Sequence, residues 1–70
     1  MIYTDYIHII SDSSLQELHN FCKEIGIKRC WFENHRKPHY DIPKYKLEEV
    51  KKSLAIYKTS KELIGIINAK

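Results

Sequence analysis

Long apolar runs are missing from this chain of 70 residues. The two longest are Tyr6 to Ile10, broken by His8, and Leu63 to Ile67. Both fall far short of the roughly 20 residues that a membrane-spanning helix needs. No basic stretch followed by an apolar segment opens the chain, so a signal peptide is not expected and a cytoplasmic location is. Cysteine is scarce: Cys22 and Cys30 match no CxxC metal or redox spacing and read as structural thiols of a reducing compartment. Charge of one sign is not in large surplus either. Twelve Lys and Arg against nine Asp and Glu leave +3, a mild bias toward anionic partners and too little for a dedicated nucleic-acid binder. Repeats, low-complexity segments and linkers are absent, and no Ser or Cys stands in a nucleophile motif.

What is present is ordinary globular composition, 43% hydrophobic and 30% charged. A chain this short forms one domain, spanning 1–70, and buries only about 60% of its unfolded surface. A deep private pocket is therefore not expected.

In chain order, Met1 to Asp5 and Tyr6 to Ser11 are rich in residues that favour extended structure. In a strand through Tyr6 to Ile10, His8 shares a face with Tyr6 and Ile10, either as a satisfied core histidine or as a group aimed at the strand end. Ser13 with Gln16, or Ser14 with Glu17, has the spacing of a capping box. Leu15, Leu18, Phe21, Cys22 and Ile25 then form one apolar stripe of a helix that Gly26 ends. His19 lies beside that stripe. Ile27 to Phe32 is a second strand, and strand, helix, strand within this length predicts a parallel crossover.

Parallel strands collect ligands at their carboxyl ends, which places Asp12 and the 34–41 loop on one rim. That loop is basic, through His35, Arg36 and Lys37, and ends in Pro38-His39-Tyr40-Asp41. Asp41 before Pro43 suits the N-cap of a second helix from about Ile42 to Leu54, with Leu47, Val50 and Leu54 turned inward. Ala55 to Lys58 reads as a short third strand, and Thr59 with Glu62 opens a last helix with Leu63, Ile64 and Ile67 on its apolar side. The expected fold is a small α/β domain, β-α-β-α-β-α in two or three layers, with a short, mostly parallel sheet. Three strands leave an edge or face uncovered, so a homo-oligomer is expected.

The residue order resembles a family of small bacterial and phage proteins catalogued as domain of unknown function 4031. The similar pieces are His8-Ile9-Ile10-Ser11-Asp12-Ser13, Glu17-Leu18-His19, Gly26 to Phe32, Pro38-His39-Tyr40-Asp41 and Ser60-Lys61-Glu62-Leu63. The segment that family members place between a first strand ending in Asp and the His-x3-Asp piece is missing here, since Asp5 and His8 are nearly adjacent. The resemblance carries no activity. It implies that His8, Asp12, His19, Trp31, His39, Tyr40 and Asp41 belong together.

Three chemistries fit those residues. An anionic, nucleotide-derived ligand would meet helix amides at Ser13 and Asp41, charge from Arg36 and Lys37, and flat faces on Trp31, His39 and Tyr40. His8 and Asp12 would complete that ligand site. Acid and base catalysis on a phosphoester or nucleoside bond would draw on His8, Asp12, His39 and Asp41, as a hydrolase or lyase. A metal would find two histidines and two carboxylates in the same four residues, but they match no HExxH-like spacing, and neither metal nor cofactor is expected. Each residue also has a structural reading: Asp41 as a cap, Trp31 as core, His39 and Tyr40 packing a turn. The reading preferred is a binding protein rather than an enzyme, such as a phage sponge that withholds an immune signalling nucleotide. The alternative is the small His/Asp-dependent hydrolase or lyase.

Overall fold

The computed structural model describes residues 1–34 and 38–68. Strands β1 (Ile2–Thr4) and β2 (His8–Ser11) make an antiparallel hairpin with Tyr3 opposite Ile10 and Thr4 opposite Ile9. Side chains fold its three-residue turn. Thr4 Oγ1 accepts the Tyr6 amide at 2.9 Å and donates to the His8 carbonyl at 2.7 Å. Asp5 Oδ1 accepts the Ile7 and His8 amides at 2.9 and 2.6 Å. Tyr6 is thereby held at φ 70°, a left-handed conformation that costs a non-glycine residue about 1–3 kcal/mol.

Helix α1 (Leu15–Ile25) starts at Ser14, whose Oγ accepts the Glu17 amide at 3.1 Å, and ends at Gly26, φ 87°. Only half of the capping box forms, because the Glu17 carboxylate turns instead to the hydroxyls of Ser11 and Ser13. Leu18 and Cys22 are buried, with Phe21 and Ile25 packed beside them, while Leu15 is exposed. Burial pushes the Cys22 thiol up to about 12, so it is inert packing.

The strand expected over Ile27 to Phe32 is not formed. Ile27 is buried, Arg29–Trp31 is a 3-10 turn, and only Phe32–Glu33 is strand, β3. Trp31 is a third exposed rather than core, at 36%. His39–Asp41, expected as the end of a loop, is β4 and pairs antiparallel to both β3 and β2. It slots between them, so the crossover from β2 through α1 to β3 is split by a third strand.

Asp41 is accordingly not a helix cap. Ile42 donates its amide to the Ile7 carbonyl at 3.0 Å, and a 3-10 turn at Lys44–Lys46 leads into α2 (Leu47–Lys52). Val50 is buried, but Leu54 lies beyond the helix at 96% exposure, the reverse of its expected inward place. β5 (Ile56–Tyr57) runs parallel to β1, and α3 (Ser60–Asn68) opens on the expected pair. Thr59 donates its amide to Glu62 Oε1 at 3.1 Å and accepts the Glu62 amide at 3.3 Å.

Among the described residues the fold is mixed α/β, with one sheet in the order β3-β4-β2-β1-β5. Only the β1–β5 pair is parallel, so the sheet is mostly antiparallel, contrary to the sequence expectation. α1 and α2 cover one face, where Ile9, Leu18, Cys22, Ile27, Tyr40 and Val50 form the core. α3 lies over the other face, where Ile10 and Leu63 are buried. No described helix is long and apolar enough to cross a membrane.

Candidate functional site

Strand alternation sorts the Pro-His-Tyr-Asp piece. His39 and Asp41 point to the α3 face and Tyr40 to the α1 face, since successive side chains of a strand oppose each other. The register sets His8 directly across from Asp41. His39, two residues before Asp41, is the diagonal neighbour on the same face.

The result is a tight cluster. His8 Nε2 lies 3.7 Å and His39 Nε2 3.4 Å from the same oxygen, Asp41 Oδ1. The two imidazoles meet edge to face with centroids 4.9 Å apart. All three side chains are partly open to solvent.

Behind His8 stands Asp5, whose side chain is only 2% exposed. Its Oδ2 lies 3.3 Å from His8 Nδ1 and accepts the Ser60 hydroxyl at 2.5 Å. Burial works against ionisation of Asp5. The hydrogen bonds from Ser60, the His8 and Ile7 amides and the His8 ring outweigh it and hold the carboxyl below its usual range. Asp5 thus holds the ring by Nδ1 and leaves Nε2 as the nitrogen directed at Asp41. A cavity of about 200 Å³ opens beside the cluster, floored by Asp5, His8 and His39 and walled by Leu63 and Ile67 of α3.

The other residues expected at the site lie elsewhere. Asp12, past the far end of β2, binds the Met1 ammonium at 2.8 Å and accepts the Tyr3 hydroxyl at 3.2 Å. The Tyr40 hydroxyl meets His19 Nδ1 at 2.7 Å on the opposite face. Burial, with the charge of Arg29, holds the His19 pKa down, and burial raises that of Tyr40. Trp31 sits on its 3-10 turn, outside the cavity lining. Arg36 and Lys37 lie outside the described residues.

Two residues of the site were not anticipated. Asp5 was legible as Asp-x-x-His across a tight turn, a spacing that lets a carboxylate reach the ring three residues on. Ser60, 55 residues from Asp5, had no local signal.

Comparison with known proteins identifies the family. The family model described as "Protein of unknown function (DUF4031)" matches residues 3–70, and the chain belongs to that family. No curated protein and no solved structure matches it.

Proposed function

We propose that this member of the DUF4031 family is a small His/Asp-dependent enzyme. It cleaves a phosphoester or nucleoside bond of a nucleotide-derived molecule and works as a homo-oligomer. The observation that carries this reading is the convergence of His8 Nε2 and His39 Nε2 on one Asp41 oxygen, with His8 backed by the buried Asp5. A ring oriented by a buried carboxylate is prepared to take or hold a proton at its other nitrogen, which is what activating water requires. In hydrolysis the water oxygen bonds to phosphorus or to the anomeric carbon as the bond to the leaving group breaks. One water proton passes by way of a histidine to the leaving group, and the other stays on the oxygen of the new bond.

Sequestration of an anion has weaker support in the same cavity. The polar groups of its described lining are Asp5, His8, His39 and Ser60, a set suited to moving a proton more than to gripping an anion. The cavity is also smaller than the about 300–1,000 Å³ typical of sites that enclose a whole ligand, so one end of the substrate enters it. Self-association draws support from Ile7 and Leu54, both well exposed.

Incubation with a panel of nucleotides and dinucleotides, followed by denaturation and chromatography, tests the reading. Product is expected with the wild type, and His39→Ala should lower its rate at least about 100-fold while the melting temperature holds. Tyr40→Phe, on the other face, should keep the rate and lower stability by about 0.5–1.5 kcal/mol. A ligand recovered intact would establish a binding protein instead. Neither binding nor product would remove both.

A further inference from the structure

His8 Nε2 faces Asp41 Oδ1 across 3.7 Å, and His39 Nε2 faces the same oxygen across 3.4 Å. Two ring nitrogens and a carboxylate oxygen converging in this way make a ready-made donor set for a cation. We infer that His8, His39 and Asp41 form a binding site for a first-row divalent transition-metal ion such as Zn²⁺ or Fe²⁺. This rests on the same three residues being the working groups of the site, with a bound ion, rather than the ring nitrogens it would occupy, then lowering the pKa of the attacking water.

The geometry is close to what such an ion needs. Tetrahedral zinc held at ~2.0–2.1 Å separates its donors by about 3.4 Å. The separations of the two histidine nitrogens from Asp41 Oδ1 are 3.7 and 3.4 Å, and one donor atom from each residue lies within 4.8 Å of the others. Among the described residues this is the group of His, Cys, Asp and Glu side chains that meets that condition. Two nitrogens and one carboxylate oxygen are the donor set that zinc enzymes and mononuclear iron sites use while leaving positions open.

Asp5 is the independent observation. A metal-ligating histidine ordinarily donates its other ring N–H to a carboxylate, which fixes the tautomer and raises the basicity of the ligating nitrogen. His8 Nδ1 lies 3.3 Å from such a carboxylate, itself buried and anchored by Ser60 and two amides. The donors also sit on paired strands, so the sheet register rather than a loop sets their spacing. A dication offsets the charge of Asp5 and Asp41 and turns the cavity into a place for an anionic oxygen. The ligand class for its open positions is therefore water or a phosphoryl oxygen.

Calorimetric titration with Zn²⁺, and Co²⁺ absorption in the visible range, test the site on the intact protein. One ion per chain is expected. His8→Ala, His39→Gln and Asp41→Asn should each weaken it at least about 100-fold, and Asp5→Asn by about 10–100-fold. His19→Ala, which removes a histidine on the other sheet face, should leave it unchanged. Where a variant is unfolded by circular dichroism, Co²⁺ shifts of the His8 and His39 ring protons in the wild type decide the matter. Zn²⁺ affinity that survives loss of both His8 and His39, or ring shifts at His19 instead, overturns the site. Metal binding without product from the nucleotide panel removes the catalytic reading and keeps the site. Turnover undiminished by a chelator does the opposite.

Discussion

At Asp5 a single carboxylate closes the β1–β2 turn, orients the ring of His8 and ties down Ser60 at the start of α3. At Tyr6, beside it, the backbone is held in a left-handed conformation that its residue type disfavours. Such strain persists where surrounding bonds over-determine it, and it adjoins the candidate site. Glu17 offers a cleaner single-residue test because it is remote from the cluster. Hydroxyls of Ser11 and Ser13, with the Met1 ammonium, lower its pKa to about 2 from an ordinary 4.5. The folded state therefore binds the Glu17 proton more weakly than the unfolded chain does. Its contribution is present above pH 4.5 and disappears as the pH falls toward about 2. Melting temperatures across that window should show the wild type more stable than Glu17→Gln at pH 6, with the gap closing by pH 2. A gap that stays constant would refute the assignment. Glu17 was legible only as a cap partner of Ser14. Its actual hydroxyl partners depend on how β2 runs into α1.

Among the elements, α1 was the most legible, because a stripe at helical spacing and a following glycine are properties of consecutive residues. Even so, its first stripe member, Leu15, stays exposed. Leu18 and Leu54 make a direct comparison. Both read as core leucines, and one is buried at 1% while the other is exposed at 96%. Urea denaturation should give a loss of about 2–5 kcal/mol for Leu18→Ala and a change within about 0.5 kcal/mol for Leu54→Ser. Comparable losses would mean that Leu54 is covered by a second copy. The short strands were the least legible elements. β4 is three residues long, too few for alternation to announce itself beside a proline and a basic loop. Reading it as a loop placed Tyr40 with His39 and Asp41, whereas the pleat sends it to the opposite face.

For the whole molecule, order in the sheet matters more than order in the chain. Self-association is a property of this scale, and light scattering at micromolar concentration should give a mass that is a multiple of 8.4 kDa. A mass of 8.4 kDa would exclude it. The amino-acid sequence by itself determined the helices α1 and α3, their caps and the α/β class, because those follow from propensity, period and capping spacing within a few residues. It also put His8, His39 and Asp41 among eight candidate residues, with Asp12, Trp31, Arg36, Lys37 and Tyr40, without separating them from the rest. Only the tertiary structure decided that β4 inserts between β2 and β3, which turned an expected parallel sheet into a mostly antiparallel one. That insertion brings three of the six described ligand candidates, His8, His39 and Asp41, onto one face and turns Tyr40 to the other, while the β1–β2 turn and α3 supply Asp5 and Ser60. The physical reason is that strand pairing is set by hydrogen bonds and side-chain burial across the sheet, between residues whose separation along the chain carries no local signal.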